Sequence, residues 1–202
     1  MGPGLGFTLI VRLATVHRQM RAWLGAVAVA VLPWVLAGCS LLGVSQPPID
    51  ALRARLLMVP VAGVRPDEVP DGFDASRASG LRRHQALDIL APRGTSVVAA
   101  DDGVVLALRD NRRGGLTIYA TDPDRRFVYY YAHLDRYGAG LRRGARITKG
   151  EVLGFVGTTG NADRAEPHLH FQVMIFPDDG RWWHGTPIDP RPYFARAGQA
   201  SE

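Results

Sequence analysis

Four of the six histidines in this 202-residue chain lie in three short segments, together with one aspartate. His84 and Asp88 stand in the segment HQALD, His133 in YYYAHLD, and His168 and His170 in PHLHF. Imidazole nitrogens and carboxylate oxygens are ligands for zinc. The single cysteine, Cys39, leaves no thiolate site and no disulfide within the chain, so a metal here would need His and carboxylate ligands. A hydrolytic zinc site takes three protein ligands and keeps one position open for water, whose pKa falls to ~7. A base must then take a proton and a donor must stabilise the oxyanion. Four histidines and one aspartate can fill these roles, as three ligands and two further imidazoles.

Spacing limits how the segments can act. On a strand, His168 and His170 point to the same face, ~6.7 Å apart along the chain. They can serve one metal if the rings converge, or supply one ligand and one neighbour that addresses the water. Leu169 and Phe171 then face the core. His84 and Asp88 would share a helix face, but in a straight strand they would be ~13 Å apart. Ile89-Leu90-Ala91-Pro92 reads as a strand ending at proline, so residues 82–88 must bend or turn if both side chains bind one ion. His133 ends the aromatic run Tyr129-Tyr130-Tyr131. Taken singly, each segment also suits a structural role. Their combination, each histidine beside a β-type run, points to one shared site.

The elements that must hold these residues are short β-type runs broken by turns. Runs at 96–100 and 104–109 flank Asp101-Asp102-Gly103, and runs at 116–121 and 127–133 flank Asp122-Pro123-Asp124; both pairs are expected to be hairpins. Further runs lie at 146–147, 152–156 and 169–175. Residues 51–59 read as a short helix or a strand, and 64–80, rich in Pro, Gly, Asp and Ser, as loop. Strands this short and closely spaced predict a mostly β fold, an antiparallel β-sheet, sandwich or barrel with few short helices. One domain is expected over 58–194, with a loose tail at 195–202.

Residues 1–38 have the order of a signal peptide: Arg18 and Arg21, an apolar run at 22–36, then Ala37-Gly38 before Cys39. The run is short of the ~20 residues that span a bilayer. Leu36-Ala37-Gly38-Cys39 resembles the lipobox of bacterial lipoproteins, which implies lipidation at Cys39 and a membrane anchor. Residues 39–57, with Gln46-Pro47-Pro48, read as a tether. By resemblance to lipoprotein sorting, Ser40 implies the outer membrane, in the periplasm-facing cell envelope. Net charge is +5, and loss of Arg12, Arg18 and Arg21 with the signal peptide leaves +2. That is not the footprint of a nucleic-acid binder.

The three segments resemble the LytM/lysostaphin-type zinc metallopeptidases, peptidase family M23. The resemblance is carried by His84-Gln85-Ala86-Leu87-Asp88 followed by Ala91-Pro92-Arg93-Gly94-Thr95, by Tyr131-Ala132-His133-Leu134, and by Pro167-His168-Leu169-His170-Phe171. Gly150-Glu151-Val152-Leu153-Gly154, Gly157-Thr158-Thr159-Gly160-Asn161 and Pro60-Val61-Ala62-Gly63 extend it over about 58–176. It implies the LytM-type fold (duplicated hybrid motif) and one zinc ion held by His84, Asp88 and His170. It also implies that His133 and His168 assist deprotonation of the water and stabilise the tetrahedral intermediate. The implied activity is a metalloendopeptidase acting on peptide bonds of peptidoglycan, and a monomer is expected. A rival on the same fold is a non-enzymatic wall-binding regulator of a murein amidase. Members of that kind usually carry broken metal motifs, and all five positions are intact here.

The chain departs from the family pattern at Ala86, where glycine is usual, at Asp74 for a frequent glycine, and at Gln172 for a frequent glutamate. Ala86 is expected to narrow the approach to the metal. Asn161 is a candidate for the substrate groove or a turn former. Trp182-Trp183-His184 could line the groove or pack on the sheet with His184 exposed. Asp135 could orient His133 or stay in a loop, and Lys149 is expected to be solvated.

Overall fold

The computed structural model describes residues 48–77 and 82–196. The expected signal peptide, Cys39, the start of the tether and the last six residues lie outside the described residues. Helix α1 (Pro48–Arg55) is followed by eleven strands: β1 (Ser76–Arg77), β2 (Arg82–Arg83), β3 (Leu87–Leu90), β4 (Ser96–Val98), β5 (Gly103–Asn111), β6 (Gly115–Thr121), β7 (Phe127–Tyr137), β8 (Arg146–Ile147), β9 (Val152–Val156), β10 (His168–Ile175) and β11 (Thr186–Ile188). Strand pairing is antiparallel throughout, as the runs and turns predict.

The main sheet runs β11-β10-β7-β6-β5-β8. One edge of β10 pairs with β7; the other takes β3 along 168–171 and β11 along 173–175. The far end of β7 pairs with β9, which pairs with β4. Strand β10 alternates over residues 168–173: Leu169, Phe171 and Val173 are fully buried, and the intervening residues are half-buried. This is the period-2 signature of a strand with a core face and an open face. Phe127, Tyr129 and Tyr131 of β7, with Leu87 and Ile89 of β3, complete the same core.

The hairpin over Asp122-Pro123-Asp124 forms as expected, with Asp122 Oδ1 accepting the backbone N–H groups of Arg126 (2.8 Å) and Phe127 (2.7 Å). The one expected over Asp101-Asp102-Gly103 does not. Strand β4 pairs with β9, and β5 with β6 and β8. The turn residues serve other contacts instead. Asp101 is buried and accepts the Tyr129 hydroxyl proton (2.8 Å), and a Cβ on Gly103 would lie 2.1 Å from the Thr121 carbonyl oxygen.

In α1, Asp50 in the first turn and Arg53 and Arg55 in the last complement the helix dipole. The core reaches upstream of residue 58, since Ala51, Leu52 and Leu57 are buried in it. Arg55 ties the helix to the sheet through Asp122 (2.7 Å), Asp124 (2.8 Å) and Asp101 (3.4 Å). Lys149 is not the solvated residue its turn position predicts. Its Nζ donates to the carbonyls of Arg55 (2.6 Å) and Leu56 (3.2 Å), which a four-carbon stem reaches from the adjoining turn.

Candidate metal centre

Strands β3 and β10 lie side by side with Asp88 directly opposite His170. Both residues sit on the open face, because Leu87, Ile89, Leu169 and Phe171 take the core face. His84 reaches the same point through a bend. Strand β2 ends at Arg83, Gln85 adopts a left-handed conformation (φ 54), and β3 begins at Leu87. The bend is the one that the HxxxD spacing requires of a β segment. Its inner side is tied by His84 N–H to the Ala75 carbonyl (2.9 Å) and Gln85 N–H to the Phe73 carbonyl (2.6 Å).

Three ligand atoms converge there. His84 Nε2 lies 3.1 Å from Asp88 Oδ1 and 3.1 Å from His170 Nδ1, and His170 Nδ1 lies 2.9 Å from Asp88 Oδ1. Bonds of ~2.0–2.1 Å in a tetrahedral zinc site put ligand atoms ~3.3 Å apart, so the triangle has the size that one such ion requires. The donor chemistry fits as well. The Gly72 carbonyl can only accept, so it takes the His84 Nδ1 proton (3.0 Å). In the tautomer this bond selects, Nε2 carries the lone pair and faces inward, the arrangement that outer-shell carbonyls give to ligating histidines. Burial pushes the Asp88 carboxyl up. Hydrogen bonds and charge from His170 and His84 outweigh it and hold the group well below the usual carboxylate range. Burial pushes the His170 imidazole down, towards the neutral form a metal needs.

His133 and His168 stand beside this triangle. Their rings are 5.0 Å apart between centroids, and His133 is 5.7 Å from His170. His168 Nδ1 donates to the Glu166 carbonyl and His133 Nδ1 to the Thr159 carbonyl, each at 2.8 Å. In both rings Nε2 is the nitrogen left outside these bonds, and that of His168 lies 3.8 Å from Asp88 Oδ1. Burial pushes His133 down to about 4, so this ring is neutral at neutral pH and able to accept a proton.

The position of His133 depends on a bulge. Leu116 pairs with Leu134 and Ile118 with Tyr131, so Ala132 and His133 together oppose Thr117. His133 takes φ 61 at this point and turns to the open face. Asp135 has no part in orienting it: the carboxylate pairs with Arg93 (2.5 Å) and Arg136 (3.0 Å), while a backbone carbonyl holds the His133 ring.

All five residues line one open cavity of about 930 Å³. This is within the ~300–1,000 Å³ of typical ligand sites. Asn161 lines it too, and its N–H donates to the Arg113 carbonyl (3.0 Å). Ala86 is fully buried and is not among the lining residues, so it leaves the approach unchanged. Trp182 packs on Tyr119 (4.6 Å between centroids) outside the cavity, with His184 exposed. Tyr130 and Arg113 also line the cavity, and neither belongs to a motif that marks it as a site residue. Alternation along β7, with Tyr129 and Tyr131 in the core, would have placed Tyr130 on the open face. The orienting carbonyls of Gly72, Thr159 and Glu166 have no sequence signal, because every residue type carries one.

Comparison with known proteins gives the same picture. The chain is 34% identical over 126 residues to the L-Ala–D-Glu endopeptidase of Bacillus subtilis (strain 168), a match covering 59% of this chain and 37% of that protein. It is 32% identical over 95 residues to the peptidoglycan DD-endopeptidase ShyC of Vibrio cholerae, covering 47% and 21%. The fold resembles the crystal structure of Helicobacter pylori Csd3, with TM-score 0.54, 27% identity, and coverage of 71% of this chain and 34% of that one. The chain thus spans less than two fifths of the length of these relatives. The model of peptidase family M23 matches residues 82–190, more than half of the chain, and with the fold and the His-Asp-His triangle in place the chain belongs to peptidase family M23.

Proposed function

We propose that the chain is a zinc-dependent endopeptidase that hydrolyses peptide bonds in peptidoglycan, tethered to a membrane of the cell envelope by a lipid on Cys39. The observation that carries this is the convergence of His84 Nε2, Asp88 Oδ1 and His170 Nδ1 within 3.1 Å of one another, with two oriented imidazoles alongside. In this proposal those three atoms hold the metal. When bound, zinc supplies a Lewis acid that polarises the scissile carbonyl and makes water a usable nucleophile near pH 7. His133 and His168 have committed their Nδ1 protons to backbone carbonyls. Each can therefore accept a proton at Nε2 from the attacking water and, once protonated, donate to the oxyanion or the leaving amine. Peptidoglycan as the substrate class is supported by the names of the relatives, an L-Ala–D-Glu endopeptidase and a peptidoglycan DD-endopeptidase. The lipid anchor and the periplasm-facing, outer-membrane location rest on the sequence around Cys39.

The test is zinc content together with release of muropeptides from purified sacculi. Wild type is expected to bind one zinc and release fragments, whose masses identify the bond cut. His170→Ala is expected to lose both properties, and lysis by that variant at the wild-type rate would refute the metal mechanism. Cys39→Ser is expected to keep the activity of the domain and leave the membrane fraction.

A further inference from the structure

The ladder between β3 and β10 stops one pair short of the bend. His170 pairs with Asp88 and Phe171 with Leu87, but no pair joins Gln172 to Ala86, because the chain leaves the strand at Gln85. A side chain bonds where the ladder ends. Gln172 Nε2 donates to the Gln85 carbonyl at 2.8 Å. Phe73 holds the other side of the bend, accepting the Gln85 N–H at 2.6 Å. A left-handed conformation is unfavourable for a residue with a Cβ, so such a bend needs support from outside itself. Without it, residues four apart on a strand are separated by ~13 Å; here His84 Nε2 and Asp88 Oδ1 are 3.1 Å apart.

We propose that Gln172 is a positioning residue for the metal centre, its amide clamping the Gln85 bend that turns His84 against Asp88 and His170. The proposal rests on the zinc site of the proposed function. Gln172 follows His170 by two and shares its face of β10, so one strand carries both a ligand and the clamp on the segment that brings another. Its own backbone is fixed opposite Tyr130 of β7. The bond requires a donor. A methionine at 172 keeps nearly the same length and offers no donor to the Gln85 carbonyl.

The experiment is chelator competition for zinc on the purified full chain and its Gln172→Met and Gln172→Leu variants, with hydrogen exchange at the Gln85 amide in the metal-free proteins. Both variants are expected to bind zinc ~10-fold more weakly, the size of effect seen when outer-shell partners of ligands are removed, and to exchange the Gln85 amide faster. The near-isosteric methionine variant keeps the side-chain volume, so a folding failure of the leucine variant would not hide the result. Zinc affinity within about twofold of wild type in the methionine variant overturns the clamp while leaving the zinc site standing. Failure of wild type to bind zinc overturns the site and the clamp together.

Discussion

His133 occupies a left-handed backbone conformation, φ 61, that costs a residue with a side chain ~1–3 kcal/mol. Two bonds offset the cost, its N–H to the Gly114 carbonyl (2.7 Å) and its Nδ1–H to the Thr159 carbonyl (2.8 Å). The strain has a use. In an unbroken strand His133 would share a face with Tyr129 and Tyr131, inside the core; the bulge turns it out beside His168. A residue placed this way but outside the His84-Asp88-His170 triangle should matter for proton transfer and not for metal binding. His133→Ala is therefore expected to retain wild-type zinc content while muropeptide release falls ~10²–10⁴-fold. Loss of zinc from that variant would instead make His133 a ligand. Paired measurements of bound metal and turnover separate the two roles.

Orientation of the His133 ring depends on two loops that interlock. Leu116 N–H donates to Thr159 Oγ1 (3.0 Å), Thr159 Oγ1 donates to the Leu134 carbonyl (2.7 Å), and Asn161 N–H reaches the Arg113 carbonyl (3.0 Å). Gly160 makes the approach possible. It has φ 74, and a Cβ there would lie 2.3 Å from Gly115 N and 2.4 Å from the Arg113 oxygen. Backbone on both sides leaves nothing flexible to yield. Gly160→Ala is expected to destabilise the fold by ~2–4 kcal/mol and to reduce peptide release with zinc still bound, since the Thr159 carbonyl moves away from His133. A melting temperature equal to wild type would show that the loops can part without cost.

Across the described residues, the core lies beneath the sheet and the candidate site lies on the opposite face. Tyr129 and Tyr131, buried in that core, and the half-buried Tyr130 link β7 to pH. Burial pushes Tyr129, Tyr130 and Tyr131 above the ordinary value of ~10. In the unfolded chain these groups ionise near pH 10, whereas the folded protein keeps the protons, so the native state binds more protons as pH rises past that value. Stability present below pH ~10 is then lost with rising pH, by ~1.4 kcal/mol per pH unit for each tyrosine. Tyr131→Phe is expected to start less stable by ~1–3 kcal/mol, because Ala100 N–H loses the hydroxyl it donates to (3.0 Å). Its stability should nevertheless fall less steeply than wild type between pH 9 and 11 in urea unfolding. Parallel slopes would mean that Tyr131 ionises equally in both states.

The sequence by itself determined the chemistry of the candidate ligands, because residue types carry it: imidazoles and one carboxylate, with no thiolate within the domain. It determined the β architecture and the core face of β10, because period-2 alternation is written along each strand. It also required a bend between His84 and Asp88, because four extended residues are too long to share one ion. Only the tertiary structure decided which strands are neighbours. Turn residues at Asp101-Asp102-Gly103 mark a change of direction without naming a partner, and the partner of β4 proved to be β9. Only the tertiary structure turned His133 out of the core, since a bulge is a mismatch between two strands and is not a property of either alone. It also supplied the carbonyls of Gly72, Thr159 and Glu166, backbone groups that no residue type announces, to set the tautomers of His84, His133 and His168. The chemistry was thus legible one residue at a time, while its geometry required contacts such as that of His84 with His170, 86 positions apart.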